Sequence, residues 1–255
     1  MNEPTQEPKR DYMLPASIMI AALLISVSLV YNAGKQPSDK TGEPVNAIGN
    51  TDNNQPVNAP ENNVKPVTSA DHIWGNPDAP VKIVEFSDLE CPFCKRFHYT
   101  LKEVVKKYDG KVAWVYRHSP IDGLHPKARK EAEATECAAE LGGNTKFWAY
   151  MDRLMELTPA NNGLDPALLP KIATDVGLDK TKFEACLASG KYATKIAEHL
   201  ADAENSGGGG TPYSIVIAPS GKKTVIPGAL PLVSDDPRVP PVTQYIDPAV
   251  NEIGK

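Results

Sequence analysis

The sequence predicts an α/β domain in which a β-α-β unit and a closing β-hairpin are separated by a block of helices. Three stretches carry this expectation. VKIVEF, residues 81–86, alternates and is β-branched, the pattern of a strand. After Cys91, residues Cys94, Phe97, Leu101, Val104, Val105 and Tyr108 recur at helical spacing, which gives a helix one apolar face. Towards the other end, residues 213–218 and 223–226 read as strands separated by Pro219-Ser220-Gly221, a hairpin signal.

The remaining elements follow in order. Asp109-Gly110 closes the first helix, and KVAWVY (111–116) supplies a second strand. From about 127 to 205 the chain is helical, punctuated by Gly142-Gly143, by 159–163, by Gly177 and by Gly190. A last helix is expected around 243–253, limited by Pro248, whereas the proline-rich stretch 231–241 fits no element. No internal repeat is visible. This is a thioredoxin-like arrangement carrying a helical insertion at about 121–206.

Globular sequence begins near Asp71, so the domain is expected to span 71–255. Ahead of it stand a short tail (1–12), an apolar run without charge (13–31) and a stretch (32–70) of Asn, Pro, Gly, Asp and Thr. At about 1.5 Å per helical residue the apolar run comes to roughly the hydrocarbon thickness of a bilayer. A cleaved export signal would end in a small-x-small site. The exit instead reads Leu29-Val30-Tyr31-Asn32-Ala33-Gly34-Lys35, and Ser26-x-Ser28 lies inside the run. A retained, single-pass transmembrane signal-anchor is therefore expected, since a buried soluble helix would find no cover in the linker. Lys9 and Arg10 before the run, against Lys35 and Lys40 after it, slightly favour an internal N-terminus and an extracytoplasmic domain. The linker, with few aromatics and no sustained period, reads as a disordered tether.

Composition excludes little except nucleic acid. Net charge is −5, and no Lys/Arg stripe of the needed density is present. The four cysteines are Cys91, Cys94, Cys137 and Cys186. An even count behind an export signal suits an oxidising compartment.

Cys91-Pro92-Phe93-Cys94 is the chemical signal. Residues i and i+3 at a helix start lie on neighbouring turns of one face, so two sulfurs there can bond. The first sits where unpaired N–H groups and the helix dipole stabilise a thiolate. Pro92 suits the first turn, where its missing N–H has no helical partner. Cys91 is thus expected to be the exposed attacking sulfur and Cys94 the buried resolving one. A zinc site is the rival, but it needs four ligands, and Cys137 and Cys186 are not spaced as a second pair. His98 could face the same side, although a solvated histidine is the commoner outcome. No metal is expected; the redox group would be the Cys91–Cys94 disulfide itself. The three tryptophans, Trp74, Trp114 and Trp148, read as packing. His72, His118, His125 and His199 show no ligand spacing.

GNPDAPVKIVEFSDLECPFC, residues 75–94, resembles the opening of the DsbA-like family of thiol-disulfide oxidoreductases. RHSPIDGLHPKA (117–128), Cys137-Ala138-Ala139, Lys146-Phe147-Trp148, Phe183-Glu184-Ala185-Cys186-Leu187 and Gly210-Thr211-Pro212-Tyr213 follow in the family's order. The resemblance implies three sets of roles. Pro212 matches the family's cis-proline, which with Thr211 faces the dithiol and binds substrate backbone, beside Pro92 and Phe93 at the site's tip. Glu85 matches a buried acid that exchanges the proton of Cys94, against the plainer reading of a solvent-facing strand residue. Cys137 and Cys186 match a structural disulfide between inserted helices, the alternative being two free buried thiols.

Phe93 departs from the archetypal histidine, which implies a less acidic Cys91 and a less oxidising poise. The expected activity is disulfide introduction into exported thiol proteins, with a membrane redox partner for recycling. The rivals are a reductase or isomerase kept reduced by a membrane partner, and a non-enzymatic metal- or protein-binding module.

Overall fold

The computed structural model describes residues 63–254. The expected tail, transmembrane run and most of the linker lie outside the described residues. Among the described residues no helix is long and apolar enough to cross a membrane.

Five strands form one sheet in the order β1-β3-β2-β4-β5. They are β1 (His72–Trp74), β2 (Val81–Ser87), β3 (Val112–His118), β4 (Tyr213–Ile217) and β5 (Lys223–Ile226). β2 and β3 are parallel, crossing over through α1 (Pro92–Lys107), and β4 pairs antiparallel with both β2 and β5. The β-α-β unit and the hairpin are therefore neighbours in space, as expected from a thioredoxin-like order. β1 pairs antiparallel with β3 and was not legible: a three-residue strand is too short to show a period.

The central strand is buried on both faces. Ile83, Trp114, Tyr116 and Val216 pack in the larger core with α1 and the helical insertion. Val84, Phe86, Val115 and Ile215 pack on the other face with Val64 and Ala203. Val84, Glu85 and Phe86 are all 0% exposed, because a strand between two neighbours and two covered faces has no solvent side.

The insertion comprises α2 (Ala128–Leu157), α3 (Leu168–Asp175), α4 (Lys180–Ser189) and α5 (Ala193–Asn205). Gly142 and Gly143 break α2 with non-helical backbone, Gly143 at φ 69°, where the sequence placed a boundary. Asp179 caps α4 by accepting from the Lys182 N–H at 2.8 Å, and Gly190 ends it in the left-handed region at φ 62°. Cys137 of α2 and Cys186 of α4 are joined, with S–S 2.02 Å. Trp114 and Trp148 pack with ring centroids 4.6 Å apart.

Two expectations need correcting. Among the described residues the chain is already packed at Val64, 4% exposed, ahead of Asp71. The buried Arg117 of β3 organises this entry: it donates to the carbonyl oxygens of Lys65 and Pro66 and pairs with Asp71 and Asp202. A composition reading misses that backbone carbonyls can be the ligands of a buried guanidinium. His98 is also not solvated; it is 1% exposed and its Nε2 meets Asp152 at 2.8 Å. Residues 231–241 run as irregular chain to α6 (Thr243–Val250), tied down where Val242 N–H donates to the Pro231 carbonyl at 2.8 Å.

Candidate active site

β2 ends at Ser87, and a four-residue turn leads into α1. Cys91 is the N-cap residue, with extended φ −77° and ψ 122°, and Pro92 opens the helix. The Cys91 N–H donates to the Asp88 carbonyl at 3.2 Å, and its carbonyl accepts from Lys95 at 3.0 Å. The sulfur therefore sits over N–H groups that no earlier carbonyl can reach. Both cysteines are free thiols. Cys94 is 0% exposed, as expected, but Cys91 is only 5% exposed; the side chain that projects is Phe93, at 54%. Cys91 is shielded because the loop before β4 closes over it. The Thr211–Pro212 peptide bond is cis, and the Cys91 thiol donates to the Thr211 carbonyl at 3.5 Å.

The two sulfurs differ in acidity. A hydrogen bond from the Cys94 thiol, opposed by burial and assisted by the Cys94 and Phe93 backbone N–H groups and the Thr211 side chain, draws Cys91 down to about 6. Burial pushes Cys94 well up, and the bond it gives to Cys91 and the charges of Glu85 and Cys91 push it further. The Asp88 N–H points at the Cys94 sulfur from 3.5 Å.

Glu85 shares the floor of the site. Burial raises its carboxyl to about 8, against a hydrogen bond from Ser87, whose hydroxyl donates at 2.9 Å. It lies opposite Tyr116 in the register, and the Tyr116 hydroxyl is pushed up by burial and then by the charges of Glu85 and Cys94. The structure thus brings together Cys91, Cys94, Glu85, Thr211, Pro212, Pro92 and Phe93. It sets Cys137 and Cys186 apart, in the insertion.

Asp88, Glu90, His125 and Tyr116 were missed. Asp88, 1% exposed, accepts from Glu90 N–H at 2.8 Å and Ile121 N–H at 2.7 Å, and meets His125 Nδ1 at 2.9 Å. Its bond to the residue two positions on is an Asx turn, a signal available in Ser-Asp-Leu-Glu-Cys. His125 had no such signal. His118, the last residue of β3, turns instead to Glu136 at 3.0 Å, which also binds His72 and Lys195.

An acidic sulfur at a helix start, a high-pKa sulfur beneath it and a Thr-Pro loop against it define a thiol–disulfide exchange site. The chain belongs to the thioredoxin family: the family profile described as Thioredoxin matches residues 67–218. Within it the chain is DsbA-like. Pseudomonas aeruginosa DsbA2 is 26% identical, with 74% of this chain and 100% of that one aligned at TM-score 0.61. A thioredoxin-like oxidoreductase from Silicibacter pomeroyi is also 26% identical, over 71% and 91% of the chains at TM-score 0.56. BdbD from Bacillus subtilis, 22% identical over 71% and 91% at TM-score 0.53, shares the fold. A curated sequence relative is a Na(+)/H(+) antiporter NhaA 3 of Salinispora tropica, 37% identical over 57% of this chain. The chain spans 21% of that antiporter's length.

Proposed function

We propose that this protein introduces disulfides into exported proteins from the outer side of the membrane, held there by residues 13–31. The acidity difference between Cys91, at about 6, and Cys94, pushed well above an ordinary thiol, carries the reading. In the oxidised enzyme a substrate thiolate attacks the Cys91 sulfur and the Cys91–Cys94 bond breaks. The electron pair leaves on Cys94, which is a poor thiolate and takes a proton from Glu85. The substrate's second thiolate then attacks its own sulfur in the mixed disulfide. Cys91 departs as a thiolate, the better leaving group because its pKa is lower. The substrate has lost two electrons and the enzyme has gained them; a membrane partner able to accept two electrons restores the disulfide.

Thr211 and Pro212 would present backbone to the substrate beside Cys91, and Phe93 an apolar contact. Transport is no part of this reading, because the antiporter match covers so small a share of that protein. Thiol trapping of the two cysteines in cells tests the direction. Mostly disulfide is expected, and mostly dithiol would establish a reductase or isomerase instead. Reduction of insulin by the purified chain tests exchange itself, and a metal-loaded protein with no exchange activity would favour a binding module.

A further inference from the structure

The catalytic turn is held from two sides. On one, Asp88 grips Ile121 and His125. On the other, Glu90 reaches into the helical insertion. Its carbonyl accepts from the Asn161 N–H at 2.7 Å, and its carboxylate from the N–H groups of Gly163 at 3.2 Å and Leu164 at 3.4 Å. Glu90 is 0% exposed and Glu131, near the start of α2, 2%. Burial first, then the bond to Glu90 and the charges of Glu90 and Asp88, raise Glu131 to about 9, against the pull of Lys127. Tyr150, farther along α2, also faces Glu131 and is itself pushed up by burial and that charge.

The loop so held has an uncommon backbone. Ala160, Asn161 and Asn162 take φ of 65°, 51° and 63°, a left-handed run that residues with a β-carbon keep only where their surroundings impose it. Lys95 donates to the Thr158 carbonyl at 2.5 Å. Lys127 donates to the carbonyls of Asn162 and Leu164 at 2.7 and 2.8 Å. Glu90 precedes Cys91 and Lys95 follows Cys94, so the loop is bonded on both sides of the dithiol.

We propose that Glu90 is a positioning residue for the dithiol: through its bonds to Asn161, Gly163 and Leu164 it clamps loop 158–164 to the catalytic turn and holds Cys91 over the N–H groups of α1. The inference rests on the thiol–disulfide reading above. It is tested by the pH profile of iodoacetamide alkylation of Cys91 in the reduced full chain. Glu90→Ala is expected to slow alkylation at pH 6 about fivefold, an upward shift of about one unit in a midpoint that starts at about 6. Glu90→Gln keeps a carbonyl oxygen for the loop N–H groups and is expected to restore the rate to within about twofold. Lys127→Met loosens the loop from its other side and is expected to slow alkylation about twofold; it decides the matter if circular dichroism shows the alanine variant unfolded. An unmoved midpoint in Glu90→Ala, or in Lys127→Met where the alanine variant does not fold, overturns the inference. So does a glutamine variant no better than alanine. A wild-type midpoint at the ordinary thiol value overturns the exchange reading itself.

Discussion

The thiol of Cys91 donates to the carbonyl oxygen of Thr211 at 3.5 Å, joining residues 120 positions apart in sequence. The Cys94 thiol and the N–H groups of the helix start supply the acidity of the sulfur, and the loop before β4 supplies its cover. Neither segment makes the site alone, because β2 must bring α1 beside β4 before sulfur and carbonyl can meet.

The largest influence on Cys91 is the hydrogen bond from Cys94, so removing that donor should cost acidity. Cys94→Ala is expected to move the Cys91 titration from about 6 upward by about one unit or more, with thiolate absorbance at 240 nm as the readout. A titration unchanged from wild type would assign the acidity to the helix start alone.

Glu85 should matter to both rate and stability. Its carboxyl is raised from 4.5 to about 8 in the folded chain. Its contribution is therefore intact below pH 4.5 and is lost as pH rises through about 8, since the unfolded chain ionises first. Over that window stability should fall by up to about 1.4 kcal/mol per pH unit. Glu85→Gln should flatten the fall in denaturant titrations, while slowing exchange at pH 7 by on the order of a hundredfold.

Much of this was readable in advance, and the exceptions share a cause. Cys91, Cys94, Thr211, Pro212 and Glu85 were legible because a local spacing or a family-like string marks each. The Cys137–Cys186 pairing followed the resemblance. Glu90 was not legible, and Asp88 only as a local turn, because their partners Gly163 and Ile121 lie on segments whose approach only the folded chain sets. Glu85 shows the limit of alternation: on a doubly covered strand, burial of Val84 and Phe86 says nothing about the residue between them.

The bond between Cys137 and Cys186 closes a sequence separation of 49. Chain entropy alone makes that worth about 4 kcal/mol. Replacing both cysteines by serine should lower denaturation midpoints accordingly, yet leave alkylation of Cys91 within about twofold of wild type, the reactive pair lying elsewhere. A large loss of Cys91 reactivity in a folded variant would contradict the structural role.

Acid should destabilise the domain through His199. Burial first, then the charges of His118 and Lys195, lower it from 6.5 to about 3. The stability it contributes is present above pH 6.5 and is lost as pH falls towards 3, where the unfolded chain takes up a proton the folded chain excludes. Thermal melts should decline over that window, and His199→Gln should blunt the decline by up to about 1.4 kcal/mol per pH unit.

A chain begun at Asp71 should be less stable than one begun at 63, by about 2 kcal/mol or more. It loses the burial of Val64 and leaves Arg117 without the Lys65 and Pro66 carbonyls. Equal denaturation midpoints would return the boundary to where composition placed it.

Trapping the mixed disulfide tests most directly which sulfur does the chemistry. Reduced Cys94→Ala, mixed with oxidised glutathione at neutral pH, should acquire one glutathione on Cys91, located by peptide mass. Wild type under the same conditions should finish as the Cys91–Cys94 disulfide without an adduct. Failure of Cys91 to form the adduct, or equally fast capture by Cys94 in Cys91→Ala, would contradict the account.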